Sequence, residues 1–295
     1  MSTEFMGDPG MPQAQRLKGK VAIITGAGSR PAATDQPILG NGKAMAILFA
    51  REGARVAILD GQLEWAAETQ RIIESEGGES LLIDADVSNE DSCQRAVERT
   101  VEAFGGLHVL VNNVGITGPA GTAVEVDMAA WDQAMRVNVA SMVMMSKYAV
   151  PRMIEVGGGS IINLSSMVGI EGGHPSLLYP TSKTAVIGLT RSMAAHHGTS
   201  GVRVNVIAPG MIYTPMVASR NMTDNLRQAR RSGSFLRTEG YAWDVALAAA
   251  FLASDASRWI TGVVLPVDAG TTAGKSEPLS PRSDAKPLPG FGSKQ

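Results

Sequence analysis

Cysteine is all but missing from this chain. Cys93 is the single thiol in 295 residues, so no internal disulfide can form. Charge is also scarce: 18% of the residues are Asp, Glu, Lys or Arg, against roughly 25% in ordinary soluble domains. A surface short of charge points to cover by partner subunits. The net charge is −2, and no run of Lys or Arg exceeds the pair Arg230-Arg231. That excludes the basic footprint of a nucleic-acid binder. Long apolar runs are missing too. Val245–Ala253 is the densest stretch, about half of the roughly 18 residues that a membrane span needs. The first residues carry no apolar core of a secretory signal. These absences lead to the expectation of a cytoplasmic protein with neither nucleic-acid nor membrane partners.

What is present is a sizeable apolar fraction, 44%, arranged as an alternation. Short β-branched runs recur at Val21–Thr25, Arg55–Asp60, Ser80–Ile83, Val109–Asn112, Ser160–Leu164, Arg203–Ile207 and Val263–Val267. Helix-like stretches separate them at Lys43–Arg51, Leu63–Ser75, Asp91–Phe104, Met128–Val156, Pro180–His197 and Ala242–Ala253. Alternation of this kind predicts a three-layer Rossmann-type α/β fold: a doubly wound parallel sheet of about seven strands with helices on both faces. Residues 18–270 are expected to form one domain. Residues 1–17 are expected to be a disordered leader. Residues 271–295, with Pro278, Pro281, Pro287 and Pro289, are expected to be a tail without structure of its own. Cys93 repeats with Val97, Val101 and Phe104 at helical spacing, which predicts a packed, inert thiol.

The first strand ends in Thr25-Gly26-Ala27-Gly28-Ser29, and a helix begins near Gly40-Asn41-Gly42. Glycines at a strand-to-helix turn let the backbone approach a pyrophosphate, whose charge the helix N-terminus favours. Asp60 ends the second strand, eighteen residues after Gly42. There a carboxylate accepts hydrogen bonds from ribose hydroxyls and repels a 2′-phosphate, so NAD is expected over NADP. Arg30, near the glycine turn, argues the other way. A P-loop reading of Gly42-Lys43 fails at Pro37 and Ala44.

These marks resemble the short-chain dehydrogenase/reductase family from about Lys18 to Gly270. The family's Thr-Gly-x-x-x-Gly-x-Gly motif appears as Thr25-Gly26-Ala27-Gly28-Ser29 followed by Gly40-Asn41-Gly42, split by Arg30–Leu39. This insertion is a departure from the family pattern, expected to loop out beside the cofactor phosphates. The resemblance places Asp86-Val87 on the adenine ring. It matches Asn112-Asn113-Val114-Gly115 to the segment after the fourth strand, with Asn113 and Gly115 as cofactor contacts. It gives Asn138 a structural and proton-relay role. Pro209, Gly210, Ile212 and Thr214 fall at the nicotinamide end, with Thr214 on the carboxamide.

Tyr179 and Lys183 stand four apart, which on a helix puts both on one face. A phenol with its usual pKa near 10 is a poor base at neutral pH, and a nearby ammonium lowers that value. Tyr179 is thus expected to be the base in alcohol oxidation and the acid in ketone reduction. The resemblance adds Lys183 as a ligand of the nicotinamide ribose. Ser166 lies thirteen residues before Tyr179, where the family has its hydroxyl donor. Ser165 competes for the role, and the spacing favours Ser166. No metal-ligand spacing is apparent among the four histidines.

The substrate pocket is expected to include Ser166, Val168, His174, Tyr179, Met211, Tyr213 and Met216, although a plain surface loop is also open for His174. Met211 to Thr238 corresponds to the family's mobile lid. The expected reaction interconverts a secondary alcohol and a ketone, with cyclic alcohols, sugars and acyl thioesters all open. A silent NAD(P)-binding regulator of the same fold is the rival reading. The long helices match those that pair subunits in the family, so the resemblance implies a homotetramer or homodimer.

Overall fold

Every side chain of the first strand, Val21–Thr25 (β1), is buried. A strand covered on both faces needs apolar residues at odd and even positions alike, and β1 supplies them. Ala22 and Ile24 pack into one core, and Val21 and Ile23 into a second core across the sheet. The computed structural model describes residues 5–10, 14–32, 36–219 and 222–274. Among these, six further strands follow: β2 (Arg55–Asp60), β3 (Ser80–Asp84), β4 (Val109–Asn112), β5 (Gly159–Leu164), β6 (Val202–Pro209) and β7 (Val264–Val267). They form one parallel sheet in the order β3-β2-β1-β4-β5-β6-β7.

The helices are α1 (Asn41–Arg51), α2 (Leu63–Ser75), α3 (Glu90–Phe104), α4 (Met128–Met135), α5 (Ser141–Glu155), α6 (Leu178–His197), α7 (Pro215–Ala218), α8 (Asp224–Ser232) and α9 (Ala242–Ala253). One core joins α1, α2 and α9 to the sheet, with Phe49 and Trp243 fully buried between them. The other joins α3, α5 and α6. The three-layer doubly wound expectation is therefore met. The strand order reverses between β1 and β4, and a crevice opens there beyond the carboxyl ends of the strands.

Three details differ from the sequence reading. The stretch Met128–Val156 is not one α-helix: α4 and α5 are joined by a π-helical turn at Arg136–Ala140. The side chain of Asn138 on that turn is bonded away from its own helix, to the loop after β4. Second, residues 5–10 of the expected leader lie against the domain. Phe5 packs on the core, the Met6 N–H donates to the Pro37 carbonyl at 3.0 Å, and Asp8 pairs with Arg51 at 2.6 Å. Residues 14–17 are likewise part of the domain: Leu17 is buried with its N–H donating to the Glu52 carbonyl at 2.9 Å, and the Arg16 N–H donates to Glu52 Oε2 at 2.8 Å. Thr271–Ala273 of the expected tail form a 3-10 turn, while the leader reading on residues 1–4 and 11–13 and the tail reading beyond residue 274 lie outside the described residues. Third, the insertion is placed on both sides of residues 33–35, with Ile38 and Leu39 buried. Cys93 is buried as expected, and burial pushes its thiol up to about 11.

Candidate active site

The glycine turn keeps its close packing despite the insertion. Gly26 adopts a left-handed φ of +63°, and a Cβ on Gly42 would stand 1.9 Å from the Gly26 carbonyl oxygen. No side chain fits between β1 and α1 at that point. The insertion leaves and returns through a neck in which the Gly40 N–H donates to Ser29 Oγ at 3.0 Å. Helix α1 then starts with no side-chain cap and no acidic residue in its first turn, so its N-terminal N–H groups face the crevice as a positive end. Asn113 holds the turn from the far side, donating through Nδ2 to the carbonyls of Thr25 (3.0 Å) and Gly26 (3.1 Å).

Asp60 closes the β2 end. Its Oδ2 accepts from the Gly28 N–H at 2.8 Å, and its Oδ1 from the Gln62 N–H at 2.9 Å. The carboxylate is held rigidly against the turn. Further along, Asp86 accepts from the backbone and hydroxyl of Ser88 at 2.9 and 2.7 Å.

The end around Tyr179 and Lys183 is built from β5, α6 and the π-turn. Lys183 is buried, and its Nζ donates to the Leu164 carbonyl at 2.9 Å. Its ammonium lies 5.8 Å from the ring centroid of Tyr179. Burial pushes Lys183 down to about 8, so it stays mostly cationic at neutral pH. Ser165 donates its hydroxyl to the Lys183 carbonyl at 2.6 Å. That commits Ser165 to holding α6 and leaves Ser166, whose Oγ accepts only a long 3.4 Å contact from the Val168 N–H, as the hydroxyl better placed for a ligand. Asn138 is fully buried. Its Oδ1 accepts from the Ile116 N–H at 2.8 Å, while its Nδ2 donates to the Ile116 carbonyl at 2.9 Å and to Ser182 Oγ at 3.0 Å.

One cavity of about 670 Å³ joins the two ends. Gly26, Ser29, Gly40, Asn41, Gly42, Asp60, Asp86, Val87, Asn113, Gly115, Pro209, Gly210, Ile212 and Thr214 all line it. So do Ser166, Tyr179, Lys183 and Met216. Asn138 does not reach it and sits behind Gly115, where an added Cβ would stand 3.5 Å from Asn138 Oδ1 and 3.1 Å from Lys183 Nζ.

Four expected pocket residues do not line the cavity. In the chain after β6, Ile212 and Thr214 line the cavity while Met211 and Tyr213 do not. Tyr213 is buried instead beneath the guanidinium of Arg227, 4.1 Å from it. The Val168 N–H is capped by Ser166 Oγ. His174 packs against the Tyr179 ring at 5.5 Å, its Nδ1 accepting from the Ser176 N–H at 3.1 Å. Sequence reasoning passed over Trp65 and Pro215 and placed Val217 only within the lid; all three line the cavity. Trp65 lies five residues beyond Asp60, a spacing that carries no motif. The positions of Pro215 and Val217 follow from how the lid packs.

Comparison with known proteins agrees with this geometry. A family model described as enoyl-(acyl carrier protein) reductase matches residues 38–272. The cis-4-hydroxycyclohexanecarboxylate dehydrogenase of Sinomonas cyclohexanicum is 38% identical over 256 residues, 86% of this chain and 97% of that protein. The 2,5-dichloro-2,5-cyclohexadiene-1,4-diol dehydrogenase of Sphingobium indicum is 38% identical over 261 residues, 88% of this chain and 99% of its own length. A 7α-hydroxysteroid dehydrogenase solved with NADH and 7-oxo glycochenodeoxycholic acid superposes with a TM-score of 0.80 at 33% identity, covering 90% of this chain and 97% of that one. The chain belongs to the short-chain dehydrogenase/reductase family of oxidoreductases.

Proposed function

We propose that this protein interconverts a secondary alcohol on an alicyclic ring and the corresponding ketone, using NAD(H). The observation that carries the reading is the single cavity that runs from the α1 N-terminus and Asp60 to Tyr179, Lys183 and Ser166. The residues present fit a dinucleotide. An uncapped helix start and glycines too crowded for any Cβ suit a diphosphate, and the fixed Asp60 carboxylate suits ribose hydroxyls. Asp60 also opposes a 2′-phosphate, which favours NAD over NADP. When bound, the nicotinamide supplies or accepts the hydride.

The protein's own groups handle the proton. Tyr179 takes it from the alcohol in oxidation and returns it to the ketone oxygen in reduction. Lys183, cationic and dry, favours the phenolate over the phenol. Ser166 donates to the substrate oxygen as charge builds there. Asn138 fixes the loop carrying Gly115 against α6 and so positions Lys183. Ile212, Met216 and Val217 give the lid side an apolar wall that suits a hydrocarbon ring. The similar dehydrogenases named above act on ring alcohols or ring ketones, which supports this substrate class. The apolar residues Val143 and Ile154, 47% and 45% exposed on α5, support a homo-oligomer.

The test is a panel of alicyclic, sugar and acyl-thioester substrates with both cofactors. Turnover is expected on cyclohexanol-type alcohols with NAD. NADH binding with no turnover on any member would overturn the enzyme reading in favour of a binding protein.

A further inference from the structure

The Arg30–Leu39 insertion departs from the family's glycine motif, and its contacts are specific. Ile38 is buried in a small apolar cluster with Tyr213 and Ala218, to which Met6, Ala32, Val217 and Met222 add. Val217 belongs to that cluster and also lines the cavity. Gln36 Oε1 accepts from Arg227 Nη1 at 3.2 Å. The same guanidinium donates through Nε to Glu239 Oε1 at 3.0 Å, pairs through Nη2 with Glu239 Oε2, and covers the Tyr213 ring. Arg227 is buried, and the Glu239 carboxylate holds its guanidinium above the usual range. Tyr213 is fastened in turn by its N–H to the Gly240 carbonyl at 2.8 Å.

We propose that the insertion is a built-in abutment for the lid, in which Ile38 and Gln36 act as positioning residues that hold α7 closed over the cavity and brace α8 behind it. The insertion springs from Ser29 and Gly40, both in the cavity wall. It therefore ties the cofactor turn to the lid through two contacts, apolar at Ile38 and polar at Gln36. Neither side chain lines the cavity itself. Their effect is exerted through Val217 and Arg227. The consequence for turnover is a lid ordered before substrate arrives, which lowers the KM for the alcohol and retards release of product and cofactor.

This inference rests on the reading of the cavity as a dinucleotide and alcohol site, so the experiment has one arm that does not depend on activity. Hydrogen exchange of the full-length protein without ligand is measured for Ile38→Ala and Gln36→Leu against the unmodified chain. Amides of α7 and α8 are expected to lose protection in both variants, while those of β5 and α6 are unchanged. In steady state the alcohol KM is expected to rise about tenfold in Ile38→Ala and about threefold in Gln36→Leu, with kcat held or raised as release quickens. Ile38→Val is expected to restore most of the loss. Unchanged lid protection in both variants overturns the inference. So does a fall in kcat at constant KM. Altered protection in a protein that turns over no alcohol leaves the abutment standing and overturns the proposed reaction instead.

Discussion

The two long walls of the cavity are made in opposite ways. On the α6 wall, buried side chains of regular elements hold one another. Asn112 donates to Asn163 at 2.9 Å, Asn163 to Thr190 at 3.0 Å, and Thr190 to the Val186 carbonyl at 2.8 Å, so β4, β5 and α6 are cross-linked by one polar ladder. Gly169 approaches α6 so closely that a Cβ there would stand 2.8 Å from the Lys183 carbonyl carbon. On the facing wall, Ile212, Pro215, Met216 and Val217 come from the chain between β6 and α8, and its supports are one arginine node and one apolar cluster. The lesson is a division of labour. The α6 wall is held by buried bonds between regular elements, and the facing wall stands on a segment whose sequence can change without disturbing the sheet.

Substitutions sharpen this contrast by what they alter. The largest effect is expected at Tyr179→Phe: kcat falls by about a thousandfold or more, while NADH binding by titration stays within about twofold. Substantial residual turnover would end the assignment of Tyr179. Gly42→Ala comes next, because the added methyl has no space beside the Gly26 carbonyl. A stability loss of about 3 kcal/mol is expected from overpacking, read as a lower midpoint in denaturant together with weakened NADH binding. A neutral result would show that β1 and α1 part easily. Asn138→Ala is expected to cost about 2 kcal/mol, since three hydrogen bonds vanish, two to the Ile116 backbone and one, buried, to Ser182. It should lower kcat far more than it raises the alcohol KM. Asp60→Ala is expected to weaken NAD about tenfold with NADP less affected, and the reverse ranking would refute the cofactor choice.

The smallest effect concerns pH. Lys183 titrates near 8 in the folded chain, below the roughly 10.4 of an unfolded lysine. Between those values the unfolded chain binds more protons, so this residue's contribution to stability rises with pH across the window. The cost of burying its charge is complete below pH 8 and gone above the unfolded value. Melting temperatures of the ligand-free protein and of Lys183→Met, compared at intervals from pH 7.5 to 10, are expected to converge as pH rises. A constant gap would mean that Lys183 is not desolvated as described.

The fold and the α6 wall were legible in the sequence because their signals are local. A spacing of four puts Tyr179 and Lys183 on one helix face, and apolar runs bounded by glycine mark the strands. The lid wall was not legible, because its geometry is decided by distant pairings. Gln36 meets Arg227 across 191 positions, and no local pattern announces that contact. Tyr213 was misplaced for a similar reason: its ring is buried under the guanidinium of Arg227 on α8, a contact that no local pattern announces. The π-turn at Asn138 escaped because it depends on hydrogen bonds to Ile116, 22 residues away. The packing of Phe5 and Asp8 escaped because polar composition alone suggested disorder, while the partner of Asp8, Arg51, lies 43 positions on.

The Ser29–Gly40 hydrogen bond has a consequence for how such a chain can change. It works as the clasp of a stem-loop. With the neck held by that bond, lengthening the segment between its two residues adds only a logarithmic closure cost. Mutation can therefore rewrite the loop's length and side chains while the glycine turn between β1 and α1 is left as it was, and new contacts can enter there as a cassette.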